Sequence, residues 1–423
     1  MDNSLTSYAM DYITYVCKEF GPRISGTREE KASQEDLLEK LEHYCDHVGL
    51  DEFKVHPTFY PGGFVTFGGV LIGLGVIPFF WKDFWPILAI IMPFLALFII
   101  FVSLFGMKYW FAFLSKTGTS YNAMGRIKPR DEENRMKDGK VKVVIAGHID
   151  SAFQMRITRF GDRILLMVIL SISYVLLSIM LALIKIILVN RNIIRYLFIS
   201  GVIGITWIDI VFISVSLIGM PVFITVIFGL IGGKSVLGAN DNLSGVAVAL
   251  TLAKLFSEDN NRLKNVELWI GAFGSEECGE RGSEAFIKKY SKLDLLSNAH
   301  AVIPESIGGG TNFAILSKEN MHFVKHDIET CNRLQKAYNK LKSDKPEIKF
   351  PCAILPLKMA ASDAGRFALA GYKSTTLIGY EGTIMKPPNW HAETDDPAHI
   401  NREMLGVSIE IFKNYLLLLD EEL

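Results

Sequence analysis

The sequence predicts an α/β fold, in which helices sandwich a mostly parallel sheet, with an all-α membrane part inserted as helical hairpins. Beyond residue 243, short apolar runs alternate with segments of helical periodicity, which is typical of a parallel sheet covered by helices. Half of the 423 residues are hydrophobic, and the excess lies in two blocks, at 63–106 and 164–231. The chain is long enough for one α/β domain and a separate part.

Local patterns predict the elements of the α/β part in chain order. The first helix is amphipathic, because Tyr8, Tyr12, Val16 and Phe20 recur at helical spacing. Helices are predicted at 1–20, 29–48, 243–256, 282–290, 321–342, 363–370 and 401–418. Strands are predicted at 50–57, 121–127, 141–146, 266–273, 299–303, 312–316, 352–358 and 374–378. A charged turn is expected at 130–140.

Charge and cysteine content argue against several classes of protein. With 44 basic and 45 acidic residues, the chain has no basic excess, so a nucleic-acid partner is not expected. The five cysteines are scattered and odd in number, which argues against a disulfide framework and favours a reducing compartment. The first 20 residues lack the basic start and the apolar run of a signal peptide.

The two apolar blocks, 63–106 and 164–231, are interpreted as transmembrane hairpins. The uncharged run Trp85–Phe105 is long enough, at about 1.5 Å per residue, to cross a hydrocarbon core of roughly 30 Å. Buried core helices are the alternative, but such helices rarely lack charge on every face. The blocks divide the remaining chain into three parts of one catalytic domain, at 1–60, 107–163 and 232–423. We therefore expect a multi-pass integral membrane protein whose partners include the lipid bilayer.

The number of membrane crossings in each apolar block must be even if the residues on either side of it share one site. His148 precedes the second block and His391 follows it, so that block crosses an even number of times if both residues share one site. Two crossings are expected in each block. The stretch 193–231 is about twice as long as one span, and its surplus is predicted to be a re-entrant or interfacial piece from Gly219 onward. Basic residues flank the catalytic side more than the hairpin tips, which predicts a cytoplasmic catalytic domain.

Asp209 is the only acidic residue in the second apolar block. An acid within a membrane span is by default a functional hypothesis, such as transport chemistry. An ion pair or another polar contact between helices, or a position that reaches water, is favoured over transport chemistry here, because no second acid accompanies Asp209 in the block.

Four fragments carry residues that suit a metal site. They are an apolar run that ends in His148-x-Asp150, a Gly-flanked segment around Asp241, an apolar run that ends in Glu276–Glu277, and a segment around His391. The carboxyl ends of buried strands are where open α/β sheets place their sites, and one carboxylate can bridge two ions. Each fragment alone is more often structural, as a helix cap or a solvated turn. Together they predict a carboxylate–histidine metal site, with the metal and the reaction left open.

In order and residues, the fragments resemble the di-zinc aminopeptidases of the bacterial leucyl-aminopeptidase type. The resemblance covers about 5–57, 118–157 and 234–423, and it implies a mixed sheet flanked by helices. It implies a general base at Glu276 and an orienting carboxylate at Asp150. It implies that two zinc ions per chain are bound by His148, Asp241, Glu277, Glu305 and His391, with Asp241 shared. Glu305 stands where the family normally has an aspartate, so this ligand is one methylene longer.

The resemblance implies a membrane-anchored aminopeptidase that hydrolyses N-terminal residues from peptides. A water between the two ions would lose a proton to Glu276 and attack as hydroxide, and Glu276 would then deliver that proton to the leaving amine. Glutamyl carboxypeptidase or glutaminyl cyclase-like activity on the same scaffold is an alternative. The cyclases of this type use one metal ion, which the complete second ligand set disfavours. A non-enzymatic membrane protein with a vestigial site is the third hypothesis, supported only by Glu305.

Overall fold

The computed structural model describes residues 3–60, 62–105, 110–130, 141–161, 163–230, 232–358, 360–383 and 385–423. The chain divides into two units. One comprises Met1–Pro57, Lys116–Gln154 and Lys234–Leu423, and the other comprises Thr58–Ser115 and Met155–Gly233. The predicted charged turn beyond Arg130 lies outside the described residues.

Helices and strands are numbered along the whole chain. The helices are α1 (Asn3–Glu19), α2 (Arg28–Glu42), α3 (Gly62–Phe79), α4 (Leu88–Phe105), α5 (Arg163–Asn190), α6 (Trp207–Leu230), α7 (Ser244–Ser257), α8 (Arg281–Lys292), α9 (Ile328–Asp344), α10 (Asp363–Leu369) and α11 (Arg402–Glu422). The strands are β1 (His47–Val55), β2 (Gly118–Ile127), β3 (Val141–His148), β4 (Phe198–Ser200), β5 (Ile203–Ile205), β6 (Val266–Phe273), β7 (Ala299–Glu305), β8 (Asn312–Glu319), β9 (Val324–Lys325), β10 (Cys352–Leu357) and β11 (Lys373–Tyr380).

The first unit is built on one mixed sheet, ordered β1-β2-β6-β3-β7-β11-β8-β10, with β9 paired to β8. Its central strands β6, β3, β7 and β11 are parallel to their neighbours in that run. The pairs β1–β2, β2–β6 and β11–β8 are antiparallel. The predicted fold class is therefore confirmed, and the parallel strands bring the carboxyl ends of β6, β3 and β7 to one edge.

Helices cover both faces of this sheet with buried apolar side chains. On one face, α1, α2, α7, α9 and α11 form one cluster with the sheet, in which Val248 and Phe412 are fully buried. On the other face, α8 and α10 place Phe286 and Phe367 against Phe273 of β6. Burial of this kind stabilises the unit by roughly 25 cal/mol for each Å² of apolar surface removed from water.

Two predicted helices have different ends in the structure. The helix predicted from residue 321 begins at Ile328, because Asp327 caps it by accepting a hydrogen bond from the amide of Thr330 at 2.8 Å. The helix predicted to reach residue 48 ends at Glu42, because His47 already pairs with Arg126 in the sheet. In both cases a specific backbone partner outweighs helical periodicity.

The second unit consists mainly of apolar helices. Within the described part of the chain, four helices are long and apolar enough to cross a membrane, at Gly62–Phe79, Trp85–Leu104, Arg163–Asn190 and Trp207–Leu230. Many large apolar side chains on these helices are exposed, among them Phe94 at 55% and Ile218 at 78%. Exposed apolar surface on this scale is typical of a face that contacts lipid or protein.

The prediction that the surplus residues form a re-entrant or interfacial piece from Gly219 onward is wrong. Helix α6 continues through Pro221 to Leu230, and the surplus residues instead form a short hairpin of β4 and β5 before the helix starts. A side chain at Gly219 would collide with the ring of Tyr174 on α5, so glycine serves close helix packing here. Proline is tolerated within apolar helices when neighbouring groups satisfy the freed carbonyl.

Asp209 forms a buried ion pair, as favoured from the sequence. Its Oδ1 accepts from Nζ of Lys185 at 2.7 Å, and its Oδ2 accepts from the amide and hydroxyl of Thr206. Lys185 also donates to the carbonyls of Phe79 and Gly204, at 2.7 and 2.9 Å. All three donors of the ammonium group and both carboxylate oxygens are thus satisfied. The polar-contact interpretation is confirmed.

Candidate metal centre

The residues predicted to bind metal lie together at the carboxyl edge of the sheet. The segments that carry them are the last residue of β3 (His148), the turn before α7 (Asp241), the turn after β6 (Glu277), the last residue of β7 (Glu305) and the loop before α11 (His391). Glycines permit the close approach of two of these segments. A side chain at Gly147 would meet the backbone of Gly245 and Val246, so α7 begins directly against the end of β3.

Asp241 lies between the two histidines and faces each with a different oxygen. Its Oδ1 is 3.2 Å from Nε2 of His148, and its Oδ2 is 3.4 Å from Nε2 of His391. Oε1 of Glu305 lies 3.7 Å from His148 Nε2, and Oε2 of Glu277 lies 3.2 Å from His391 Nε2. Two triads result, each with one histidine and one carboxylate of its own, and Asp241 belongs to both.

This donor set fits divalent metal ions. Within each triad, the potential ligand atoms all lie within 4.8 Å of one another. Among the described residues, Oδ2 of Asp241 and Oε1 of Glu277 are buried side-chain atoms that have no hydrogen-bond partner. Buried polar atoms are normally paired, so these orphaned atoms indicate a missing partner at the site. Imidazole nitrogen and carboxylate oxygen are ligands that zinc accepts, with room for water or substrate in catalytic sites.

The electrostatics of the cluster also favour added positive charge. Burial raises the pKa of Glu276 well above its ordinary value and raises the pKa of Glu305 to about 7. Burial alone would lower the pKa of His391, but Glu277 and Asp241 raise it to about 10. Buried carboxylates outnumber the two imidazoles here, so they cannot all ionise comfortably without further cations. Divalent ions would supply that charge.

Glu276 lies beside the two triads without being part of either. Its Oε2 is 3.8 Å from Nε2 of His148, and its side chain keeps 14% of its surface exposed. It also groups with His148 and Glu277 as a third set of potential ligands. A carboxylate in this place can reach both a metal-bound region and solvent, which suits proton transfer.

Asp150 and Asp395 hold the backbone around the centre. Asp150 accepts hydrogen bonds from the amides of Glu276 at 3.0 Å and Glu277 at 3.1 Å, in addition to lying 3.5 Å from Nδ1 of His148. Asp395 accepts from the amide of Asp241 at 3.2 Å, and from the preceding amide at 2.7 Å. Asp150 therefore fixes the turn of the paired glutamates as well as facing the histidine, which the motif alone did not reveal.

Several buried polar residues near the centre were missed by the sequence argument. They are Glu30, Glu280, Glu319, His322, His326 and Arg366. The role of Glu30 was not recognised because Thr27-x-x-Glu30 has the pattern of an ordinary capping box, which assigns the glutamate to the start of a helix. His322 and His326 were not recognised because they are four residues apart, a spacing that fits the helix predicted at 321–342. His300, at the start of β7, is also buried, and burial lowers its pKa to about 4.

Comparisons with known proteins agree with this fold. The model of peptidase family M28 matches residues 222–416. A search of curated proteins finds no match. A solved zinc aminopeptidase from Bacillus subtilis is similar in fold, with a TM-score of 0.55 and 14% identity, over 98% of this chain and 95% of that chain.

Two further solved structures share the fold. An aminopeptidase from Aneurinibacillus sp. strain AM-1 has a TM-score of 0.53 and 14% identity, over 97% of this chain and 92% of that chain. A glutaminyl cyclase from Fimbriiglobus ruber has a TM-score of 0.52 and 14% identity, over 97% and 94%. The resemblance drawn from the motifs is thereby confirmed: the chain is similar to peptidase family M28 over residues 222–416 and to solved zinc aminopeptidases in its fold.

Proposed function

We propose that this protein is a membrane-anchored di-zinc aminopeptidase that removes N-terminal residues from peptides. The observation that carries the proposal is the position of Asp241, whose two oxygens face His148 and His391 separately. A shared carboxylate between two histidine–carboxylate pairs is the arrangement expected of a two-metal hydrolase. The match to peptidase family M28 supports the peptidase class.

Each residue of the site has a definite part in the proposed reaction. His148 and Glu305 would hold one zinc ion, His391 and Glu277 the other, and Asp241 both. The ions would supply Lewis acidity toward the scissile carbonyl and the attacking water. Glu276 takes a proton from that water at its carboxylate and delivers it to the leaving amine, as a general base and then a general acid. Asp150 keeps Glu276 and Glu277 in place through their amides.

Glutaminyl cyclisation is a second candidate, because a glutaminyl cyclase is among the structures of similar fold. The reaction would release ammonia from an N-terminal glutamine instead of cleaving the first peptide bond. The second triad of Asp241, Glu277 and His391 counts against it, since the cyclases of this type are expected to use one metal ion.

Purified full-length protein in detergent should release fluorophore from aminoacyl substrates and contain about two zinc ions per chain. Both properties should disappear after chelation and return with zinc, because the ligands hold the ions only as a set. N-acetylated substrates serve as the control and should be inert. Cyclisation of glutaminyl peptides without aminoacyl hydrolysis would contradict the proposal, as would a single tightly bound ion.

We also propose that the four apolar helices cross the membrane and that the catalytic unit lies in the cytoplasm. Their exposed apolar side chains support contact with lipid, and a helix satisfies its own backbone there. Lys185 is buried against Asp209, so it does not count as a basic residue at the hairpin tips. Arg156, Arg159 and Arg163 flank the other ends of the spans, which fits the positive-inside rule.

Single cysteines should reveal this topology on intact cells treated with a membrane-impermeant thiol reagent. Exposed positions are Asp83 and Asn192 between paired spans, and Thr117 and Ser297 in the catalytic unit. Only the Asp83→Cys and Asn192→Cys proteins should label before lysis, and all four should label afterwards. Labelling of Thr117→Cys and Ser297→Cys alone would invert the orientation. Labelling of only one of those two would contradict a shared site.

A further inference from the structure

The turn that carries Glu276 and Glu277 is strained at both ends. It connects β6 to α8, and φ is 52° at Ser275 and 50° at Glu280, although neither residue is glycine. Residues with a side chain rarely adopt this left-handed conformation, and they keep it only where the surroundings enforce it. The two glutamates therefore lie between two corners that need external support.

Glu30 supports the first corner. This side chain of α2 has no exposed surface, and its Oε1 accepts from the amide of Ser275 at 2.9 Å and from its hydroxyl at 3.3 Å. The same oxygen accepts from Ser120 at 2.7 Å, while Oε2 accepts from the amide of Gly26 at 2.5 Å. One buried carboxylate thus connects the N-terminal segment, β2 and the first corner.

A second buried carboxylate, Glu280, supports the other corner with its own side chain. Its Oε2 accepts from Nε2 of His322 at 3.2 Å and from Nε of Arg366 at 3.1 Å. Arg366 also donates to the carbonyl of Gly279 at 2.8 Å. Glu319 fixes the other ring nitrogen of His322 at 2.7 Å, so the partners of Glu280 are themselves held. The negative charges of Glu280 and Glu319 are thus matched by the cationic groups of His322 and Arg366, so the cluster needs no metal ion to balance its charge.

We propose that Glu30 and Glu280 are positioning residues for Glu276 and Glu277. They hold the corners on either side, while Asp150 binds the two amides between them. Releasing one corner would turn the base and the metal ligand together relative to His148 and His391. This inference rests on the proposed roles of Glu276 and Glu277 but adds residues that touch neither metal nor substrate.

Glu30→Ala should lower kcat by about 10–100-fold and weaken zinc binding by a similar factor, with KM changed less than about twofold. Amide hydrogen exchange at Ser275–Glu277 should become faster. His322→Gln, which weakens the other corner, should give the same signature to a smaller degree. Adding Ser275→Gly to Glu30→Ala should restore much of the loss, because glycine adopts a positive φ without side-chain strain.

Asp51→Ala is the matched control, since Asp51 is a buried carboxylate of β1 that pairs with Lys289 in the C-terminal half of α8. It should lower the melting temperature while leaving kcat, zinc affinity and exchange in the turn unchanged. If Glu30→Ala behaves like Asp51→Ala, or if Ser275→Gly restores nothing, the positioning role is overturned. Zinc affinity and exchange decide this even if the wild-type protein hydrolyses no aminoacyl substrate, and exchange alone decides it if zinc does not bind. These measurements therefore distinguish a failure of the positioning role from a failure of the proposed aminopeptidase function.

Discussion

Replacing Glu276 with glutamine is expected to lower turnover by about 10²–10⁴-fold while zinc binding stays intact. The amide keeps the size and shape of the side chain but removes the basic oxygen. Glu276 lies outside the two triads, so its loss leaves both ligand sets in place. Steady-state hydrolysis of an aminoacyl substrate and zinc content of the same preparation measure the two effects separately.

Glu284→Gln is a suitable control for this variant. Glu284 lies on α8 with half of its side chain exposed, where it pairs with Arg281. Its replacement should leave turnover and zinc content at wild-type values. Wild-type turnover in Glu276→Gln would remove Glu276 from the reaction. Loss of zinc in that variant would instead make it a ligand, together with His148 and Glu277.

Lys185→Met should destabilise the helical unit by about 3–5 kcal/mol, because it leaves the carboxylate of Asp209 buried without its cation. The ammonium group also holds the carbonyls of Phe79 and Gly204, which would lose a donor. The double variant Lys185→Met, Asp209→Leu should recover much of that loss, since replacing a whole buried pair with apolar residues is often nearly neutral.

Thermal or denaturant unfolding in detergent measures the effect, with Arg191→Met as a control at an exposed position. A surface change of that kind is expected to alter stability by less than about 0.5 kcal/mol. Equal stability of Lys185→Met and wild type would show that Asp209 is satisfied without Lys185. Such a result would favour a functional role for Asp209 within the helical unit.

The sequence predicted the parts of the site that local signals encode. His148 and Glu305 each end an apolar strand. Asp241 is flanked by Gly238 and Gly245 and directly precedes a helix. Each of these signals can be recognised within a stretch of about ten residues. Parallel strands then bring such ends to one edge. The separation of the two triads, by contrast, depends on the register of β3, β6 and β7, which no single segment determines.

What the sequence did not predict depends on contacts between distant segments. Glu30 supports Ser275 across 245 positions of the chain. Glu280 needs a histidine from the turn after β8 and an arginine from α10. The hairpin of β4 and β5 was missed because its apolar residues match a membrane span as well as a strand. Helical spacing concealed the segment 321–327, whose residues take part in β9 and the buried histidine cluster.

The position of β3 in the sheet has a consequence for the order of assembly. Its two neighbours, β6 and β7, both follow the second apolar block in the chain. During synthesis at roughly 5–20 residues per second, β3 therefore waits on the order of ten seconds before β6 emerges. Throughout that interval an apolar strand has both edges unpaired, while α5 and α6 are being synthesised. The sheet can therefore close only after α5 and α6 have been synthesised, so a chain halted between α6 and β6 exposes β3 to aggregation.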